Sequence, residues 1–343
     1  MNQIMKILVI GDQHFRFELP MGQAFPDGRV KEWEGVKDEI HRLSKDADAV
    51  VLLGDNLNSR HNHSGVINEF VTFLKRFGDK PLHILTGNHE RYGKNTALDF
   101  LQKLNMPNWR VYTHIESGVQ IGDVKATFIP YTTPPMVGAL DNEGGANIVL
   151  EQAGSGDLVF AHHAVKGAKN AEFFNEIVLN KDELEKNFKL IFTGHLHHSE
   201  ILSKQTVVAG SVFTQEVGEE EKFVWMIDTS DMTYTKHKLP VRGIFKLFCG
   251  ENDNWIYEGQ SGIPANSIVR AVVTSRKVIL KEVEFILEKF DASMIVEQYP
   301  NEREKTHFAN QVLDLSVDNL LKIFAQNKKL DYNVLKEGFE LLQ

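Results

Sequence analysis

The chain has 343 residues, 42% of them hydrophobic, with a formal net charge of −9 and one cysteine, Cys249. That is enough apolar content for a sizeable core, while a lone cysteine excludes an intramolecular disulfide and fits a reducing compartment. No stretch reaches the apolar length of a membrane span, and Met1-Asn2-Gln3-Ile4-Met5-Lys6 leads straight into a strand without the parts of a signal peptide, so a cytoplasmic protein is expected.

In chain order, residues 7–10, 50–53, 82–85, 158–161 and 190–193 are apolar runs that each end in a polar turn. Such runs read as buried strands of an open α/β sheet. Helical spacing predicts helices over 31–44, 65–77 and 96–104, and further strands are expected over 124–130, 206–209, 223–228 and 232–236. The pattern fits an α/β fold, a two-layered β-sandwich flanked by helices. Leu239-Pro240-Val241-Arg242-Gly243 then marks a boundary, giving an expected division into 1–240 and 241–343. Past it, a strand over 267–275, a helix over 278–290 and a strand over 292–298 suggest a small α/β capping domain. Two amphipathic helices are expected over 316–324 and 333–342, capped by Ser316 and Asp331. Their apolar stripes suit either the cap's own core or a docking partner.

The five apolar runs are followed by Gly11-Asp12-Gln13-His14, Gly54-Asp55-Asn56, Gly87-Asn88-His89-Glu90, His162-His163 and Gly194-His195-Leu196-His197. Ligands collect at the carboxyl ends of strands in open α/β sheets, so one edge gathers every one of these polar groups. Gly78-Asp79, Gly122-Asp123 and Gly156-Asp157 lie before or between strands and read as turns. His163 neighbours a candidate ligand on an extended segment, so its side chain turns the other way, and His198 has the same status. His61 and His63 follow Arg60 in the loop after Asp55, where alternate positions can share a face.

The motif set resembles the calcineurin-like metallophosphoesterases, which implies their sandwich fold and two divalent ions per chain. Carried over residue by residue, Asp12, His14 and His197 hold one ion, Asn88, His162 and His195 hold the other, and Asp55 bridges them. His89 stays off the metals and faces the phosphate as the catalytic group. Two carboxylates, one amide and four imidazoles suit manganese, iron, cobalt or zinc better than magnesium, and manganese is expected.

Gly210-Ser211, Glu219-Glu220-Glu221-Lys222-Phe223-Val224 and the Leu239 to Phe245 junction are similar to the SbcD-type, or meiotic-recombination, nucleases. That resemblance implies a manganese-dependent exonuclease and endonuclease acting on DNA in repair or recombination. It also implies an SbcC-type ATPase subunit as partner and a homodimer, for which the apolar positions Val66, Ile67, Phe70, Val71, Phe73, Leu74 and Phe77 offer a surface. A division of labour with the ATPase reconciles the acidic charge with DNA binding, since affinity for phosphates comes from Lys and Arg. Arg60, Arg91 and Lys94 are candidate substrate contacts, with Lys166 and Lys169 also beside the motifs. Asn58 and Glu90 depart from the nuclease pattern, which usually carries His or Asp at the first position and Asp at the second. The alternative is a stand-alone phosphoesterase for small molecules or proteins in the same superfamily.

Overall fold

The computed structural model describes residues 5–16, 18–19, 26–93, 95–216, 218–219, 221–249, 255–256, 263–264, 267–273 and 291–297. Two six-stranded sheets dominate. The first runs, in spatial order, Thr233–Lys238, Phe223–Asp228, Lys6–Ile10, Ala49–Leu52, Leu82–Leu85 and Trp109–Tyr112. The second runs Glu200–Ile201, Thr206–Val208, Phe188–Thr193, Gly156–Ala161, Val124–Ile129 and Glu116–Ile121.

Alternation along the central strands explains the layering. In Lys6–Ile10, Ile7 and Val9 face the second sheet and pack with Phe128, Phe160, Phe192 and Trp225. Leu8 and Ile10 face outward, where Trp33, Val36, Phe70 and Phe73 of the helices Pro26–Ser44 and Ser64–Lys75 cover them. On the second sheet's outer face, Val149 and Leu184 of the helices Asn142–Ala153 and Lys181–Asn187 close over Val159 and Ile191. Strands buried on both faces need apolar residues at consecutive positions, which is why the parallel strands show no polar alternation. The molecule therefore has the helix-flanked, two-sheet architecture expected of the calcineurin-like sandwich.

Differences from the sequence expectations have local causes. The first long helix begins at Pro26, five residues early, and Arg29 explains the extension: its guanidinium is fully buried, pairs with Glu32 at 2.7 Å and lies over the Phe213 ring at 4.1 Å. The third expected helix shrinks to Asp99–Lys103 because Arg91–Tyr92 turns through Gly93, at φ +62°, to pair with Asn95–Thr96. Asn142–Ala153 was hidden by Gly144-Gly145, poor helix formers. Gly145 is needed there because a Cβ would lie 2.8 Å from the Ile177 side chain.

On Ser64–Lys75 and the turn after it, Val66, Phe70, Phe73, Leu74 and Phe77 are buried, while Ile67 and Val71 are half-buried against the same core. Most of this apolar excess packs on the core under the helix, with Ile67 and Val71 left partly exposed.

The chain divides into two compact units, one comprising Met1–Leu247, Tyr257–Ala271 and Ile279–Ile295, the other Phe248–Ile256, Val272–Val278 and Val296–Gln343. Residues 241–247 belong with the first unit, where Arg242 pairs with Glu32 at 3.3 Å and its carbonyl accepts from Thr214 Oγ1 at 2.8 Å. A four-stranded sheet orders Trp255–Ile256, Ile244–Cys249, Ile268–Val273 and Asp291–Glu297, and contains the strands expected over 267–275 and 292–298. The helices expected over 278–290, 316–324 and 333–342 lie outside the described residues.

Candidate metal centre

Five loops converge because the backbone makes room for them. A Cβ on Gly87 would collide with the Asp55 backbone nitrogen and carboxylate, so the third motif can cross the second only without a side chain there. Gly54 stands at φ +106°, with His162 where its Cβ would be. Beyond these glycines, His14, Asp55 and His195 themselves adopt left-handed backbone at φ 49°, 45° and 80°. Such conformations cost non-glycine residues about 1–3 kcal/mol each and persist where surrounding structure over-determines them. Here the determinants are visible: the Asp55 carbonyl accepts from the backbone N–H of both Gln13 and His14 at 3.1 and 2.8 Å, and Asp12 accepts from the His195 N–H at 3.0 Å.

Every sequence-predicted ligand is brought to one place. Asp12, His14 and His197 offer ligand atoms within 4.8 Å of one another, and so do Asp55, His162 and His195. Asn88 Oδ1 stands 3.0 Å from both His162 Nε2 and His195 Nδ1, which puts the amide in the second group. Asp55 lies between the groups, with Oδ1 3.4 Å from His162 Nε2 and Oδ2 3.8 Å from His14 Nε2. His14 Nε2 and His197 Nε2 point at each other across 3.0 Å. The carboxylates and His14 are almost wholly buried.

Electrostatics makes the same point. Burial, reinforced by the neighbouring Asp55 charge, holds the Asp12 carboxyl well above the usual carboxylate range. Burial would raise Asp55 as well, but His162, His14 and His89 together pull it below its ordinary value. Two acids whose affinities for a proton are driven apart in this way share one site that lacks positive charge. His14 is driven well below its ordinary value by burial, so its imidazole is neutral and has a lone pair to give. Mixed nitrogen and oxygen donors, converging and short of cationic charge, fit a pair of divalent ions.

Partners behind the ligands were not foreseen. His162 Nδ1 donates to the Leu53 carbonyl at 2.8 Å, leaving Nε2 to face the centre. His195 Nε2 contacts Glu176, which also meets the Tyr131 hydroxyl, and His197 Nδ1 lies 3.2 Å from Glu219 Oε1. Glu219 in turn pairs at 2.6 Å with the buried Lys222, whose Nζ donates to the His197 carbonyl at 3.0 Å and to Ser211 Oγ at 2.8 Å. Burial would raise Glu219, yet His197 and Lys222 hold it down to about 2. Groups of this kind fix which imidazole nitrogen is free to bind. Glu90 is the other unforeseen anchor. It accepts from the N–H groups of Leu57 and Gly87, each at 2.7 Å, tying the second motif's loop to the third, and burial pushes its carboxyl up to about 8.

His89 is not set apart from the ligand groups: His14, Asp55 and His89 offer ligand atoms within 4.8 Å of one another, and its ring meets that of His14 edge-on at 4.7 Å. Its Nδ1 donates to the Asn58 carbonyl at 2.8 Å, its Nε2 is 3.8 Å from Asp55 Oδ2, and 38% of its side chain is exposed. Asn58 thus acts through its backbone. His163 does turn away, buried against Tyr131 and accepting from the Thr132 N–H at 3.2 Å. His63 accepts from the Gly65 N–H and caps the helix after it. Arg60 is exposed, Arg91 is buried, and Lys94 lies outside the described residues.

Asp55, Asn88, His89, His195 and His197 open into a cavity of about 250 Å³ whose rim carries Lys169 and Phe174. Two further cavities share lining residues in sequence with it. One of about 260 Å³ shares Asn88 and adds Arg60, Arg91 and Tyr131, and one of about 660 Å³ shares Arg60 and adds His61, His63 and Tyr92. Among the described residues no helix is long and apolar enough to cross a membrane.

Residues 5–199 match the sequence model of the calcineurin-like phosphoesterases. The chain is 27% identical over 232 residues to 244L of Invertebrate iridescent virus 6, provisionally described as a phosphoesterase, covering 63% of this chain and 73% of that protein. Among solved structures, an archaeal phosphodiesterase aligns at 14% identity and a TM-score of 0.37, covering 68% of this chain and all of that one. TT1561 of Thermus thermophilus aligns at 17% identity and a TM-score of 0.40, covering 69% of this chain and all of that one.

Proposed function

Because the chain belongs to the calcineurin-like phosphoesterases and is a metal-binding hydrolase of phosphate esters, we propose that it cleaves phosphodiester bonds in DNA, as the nuclease subunit of an SbcCD-like complex. The observation that carries this reading is that the cavity at the metal centre has Asn88 in common with a second cavity, which in turn has Arg60 in common with a third. A small phosphate ester would fill the first alone, whereas a strand would run on past basic and aromatic side chains, the means by which proteins hold single strands.

In this reading Asp12, His14, Asp55 and His197 hold one divalent ion, and Asp55, Asn88, His162 and His195 the other, with manganese as the native metal. When bound, such a pair activates water at neutral pH and neutralises charge on the phosphoryl oxygens. The chain's own residues supply geometry. Asp55 offers one oxygen to each group of ligands, the Leu53 carbonyl and Glu219 keep the ring nitrogens of His162 and His197 turned inward, and Glu176 braces His195. His89, anchored at Nδ1 by the Asn58 carbonyl, presents Nε2 to the cavity. From there it can donate to a non-bridging oxygen or to the leaving alkoxide, an interaction that strengthens as charge develops.

The direct test compares linear duplex DNA with bis(p-nitrophenyl) phosphate, manganese being added to both. Cleavage of both is the expected result. Turnover of the small diester alone would assign the chain to stand-alone phosphoesterases and overturn the DNA reading. Mixing with the SbcC-type ATPase should raise duplex affinity, since a surface of net charge −9 neutralises few phosphates by itself.

A further inference from the structure

The 260 Å³ cavity beside the metal centre is lined by Arg60, Asn88, Arg91, Gly93, Tyr131, Thr133 and Met136. Arg91 is its unusual member. Its side chain is buried, with only 3% exposed, and Nη2 donates to the Thr113 carbonyl at 2.6 Å. Nε and Nη1 have no hydrogen-bond partner. Glu90 and Asp99 are the carboxylates whose charge reaches it, and neither forms an ion pair with it. Glu90 is already committed to the Leu57 and Gly87 N–H groups.

A guanidinium presents a rigid fork of donors that matches the oxygens of phosphate, and leaving part of it buried and unpaired is costly. Arg60 adds a second cation to the lining, and Thr133 and Tyr131 add hydroxyl groups. Asn88 lines both this cavity and the metal cavity, so a group seated here is next to the reacting phosphate rather than remote from it.

We propose that this cavity is a second phosphate subsite, in which Arg91, assisted by Arg60, holds the phosphate adjacent to the one being cleaved. The inference rests on the strand-cleaving reading and sharpens it: the preferred substrate carries at least two consecutive phosphates. Arg91 then fixes the strand's register on the metal centre, and a diester with one phosphate uses only half of the site.

The test measures a ratio. With manganese present, kcat/KM is determined for a thymidine dinucleotide and for the same dinucleotide bearing a terminal phosphate at its 5′ or its 3′ end. One of the phosphorylated forms should be preferred by the parent chain by about tenfold to a hundredfold, the worth of a charge-assisted pair. In Arg91→Gln that preference should fall to near one. Arg91→Lys should recover part of it, and Arg60→Gln, at an exposed position, should lower it less. A preference retained in Arg91→Gln would overturn the subsite, as would a parent chain indifferent to the extra phosphate at either end. If Arg91→Gln does not fold, the Arg60→Gln and Arg91→Lys ratios decide, and unchanged values in both count against the proposal. Failure of the DNA reading looks different, since the parent would then leave DNA uncut whatever these ratios are.

Discussion

The two halves of the metal centre hold comparable sets of donors by different means. The half built on His162 and His195 is braced by the backbone carbonyl of Leu53, just after the first sheet's strand Ala49–Leu52, and by Glu176. The half built on Asp12, His14 and His197 depends on a buried ion pair, Glu219 with Lys222, contributed by the segment that leads into the strand Phe223–Asp228. A carbonyl bond survives any side-chain change, whereas a buried ion pair is costly to break because its survivor is left charged. The half that leans on Glu219 should be the more sensitive to substitution, and the half that leans on the Leu53 carbonyl the more robust.

The most severe disruption removes what both halves share. Asp55→Asn takes away the carboxylate between them, leaving two cations to repel at close range, and should lower turnover by roughly three orders of magnitude or more while metal content falls. Elemental analysis of the purified variant checks this, and two ions retained at parental affinity would refute the bridging role. His89→Ala leaves both halves intact. Turnover should fall by about two to four orders of magnitude, as for loss of a positioned acid, with manganese stoichiometry unchanged by titration calorimetry. Loss of metal would make His89 a ligand instead.

Glu219→Gln addresses the asymmetry itself. It should weaken one of two divalent-metal binding steps by about 10-fold to 100-fold and leave the other in place. Equal weakening of both steps would mean that the halves are not separately supported.

Acid stability sharpens the contrast between the centre and the helix layer. Burial lowers His41, packed on Phe73 and Phe77, and His83 to about 4 from the ordinary 6.5, so the unfolded chain takes up these protons first and stability declines as pH falls from about 6.5 towards 4. Glu219, held at about 2 against an ordinary 4.5, contributes stability that is lost only as pH falls below about 4.5. Thermal melts at pH 7 and pH 5 should therefore differ by a few degrees in the parent chain, and His41→Phe should narrow the gap. An unchanged gap would place the proton uptake elsewhere. The smallest effect expected is on binding: the chain alone should hold duplex DNA weakly, with an affinity that drops steeply between low and physiological salt in an electrophoretic shift.

The convergence of the candidate ligands was legible in the sequence because each follows an apolar strand, where backbone direction alone delivers side chains to one edge. Their supports were not. Glu219 and Lys222 sit in an acidic run whose only signal was its likeness to the nucleases, yet they are 3% and 1% exposed. Only the placement of a lysine three residues after a glutamate, directly before a strand, hints at an internal pair. Glu176 comes from a loop with no motif, and what joins it to His195 is folding rather than spacing. Glu90 could have been anticipated, since a carboxylate three residues after Gly87 can accept that residue's N–H as a capping glutamate does. The overall layers followed from the apolar runs. Boundaries failed where one side chain outweighed local propensity, as Arg29 and Gly145 did.

The position of the strand Lys6–Ile10 has a consequence for synthesis. It lies between Ala49–Leu52 and Phe223–Asp228, so one of its edges stays unpaired until residues more than two hundred positions later have left the ribosome. At about 5–20 residues per second that interval is on the order of 10–40 s. Asp12 and His14 are among the first ligands made, but His197 and the Glu219–Lys222 pair that steadies it are among the last parts of this sandwich to emerge. The nascent chain is thus exposed to edge pairing with other chains before it has a complete metal centre, and hydrolytic competence is acquired only when the sandwich closes.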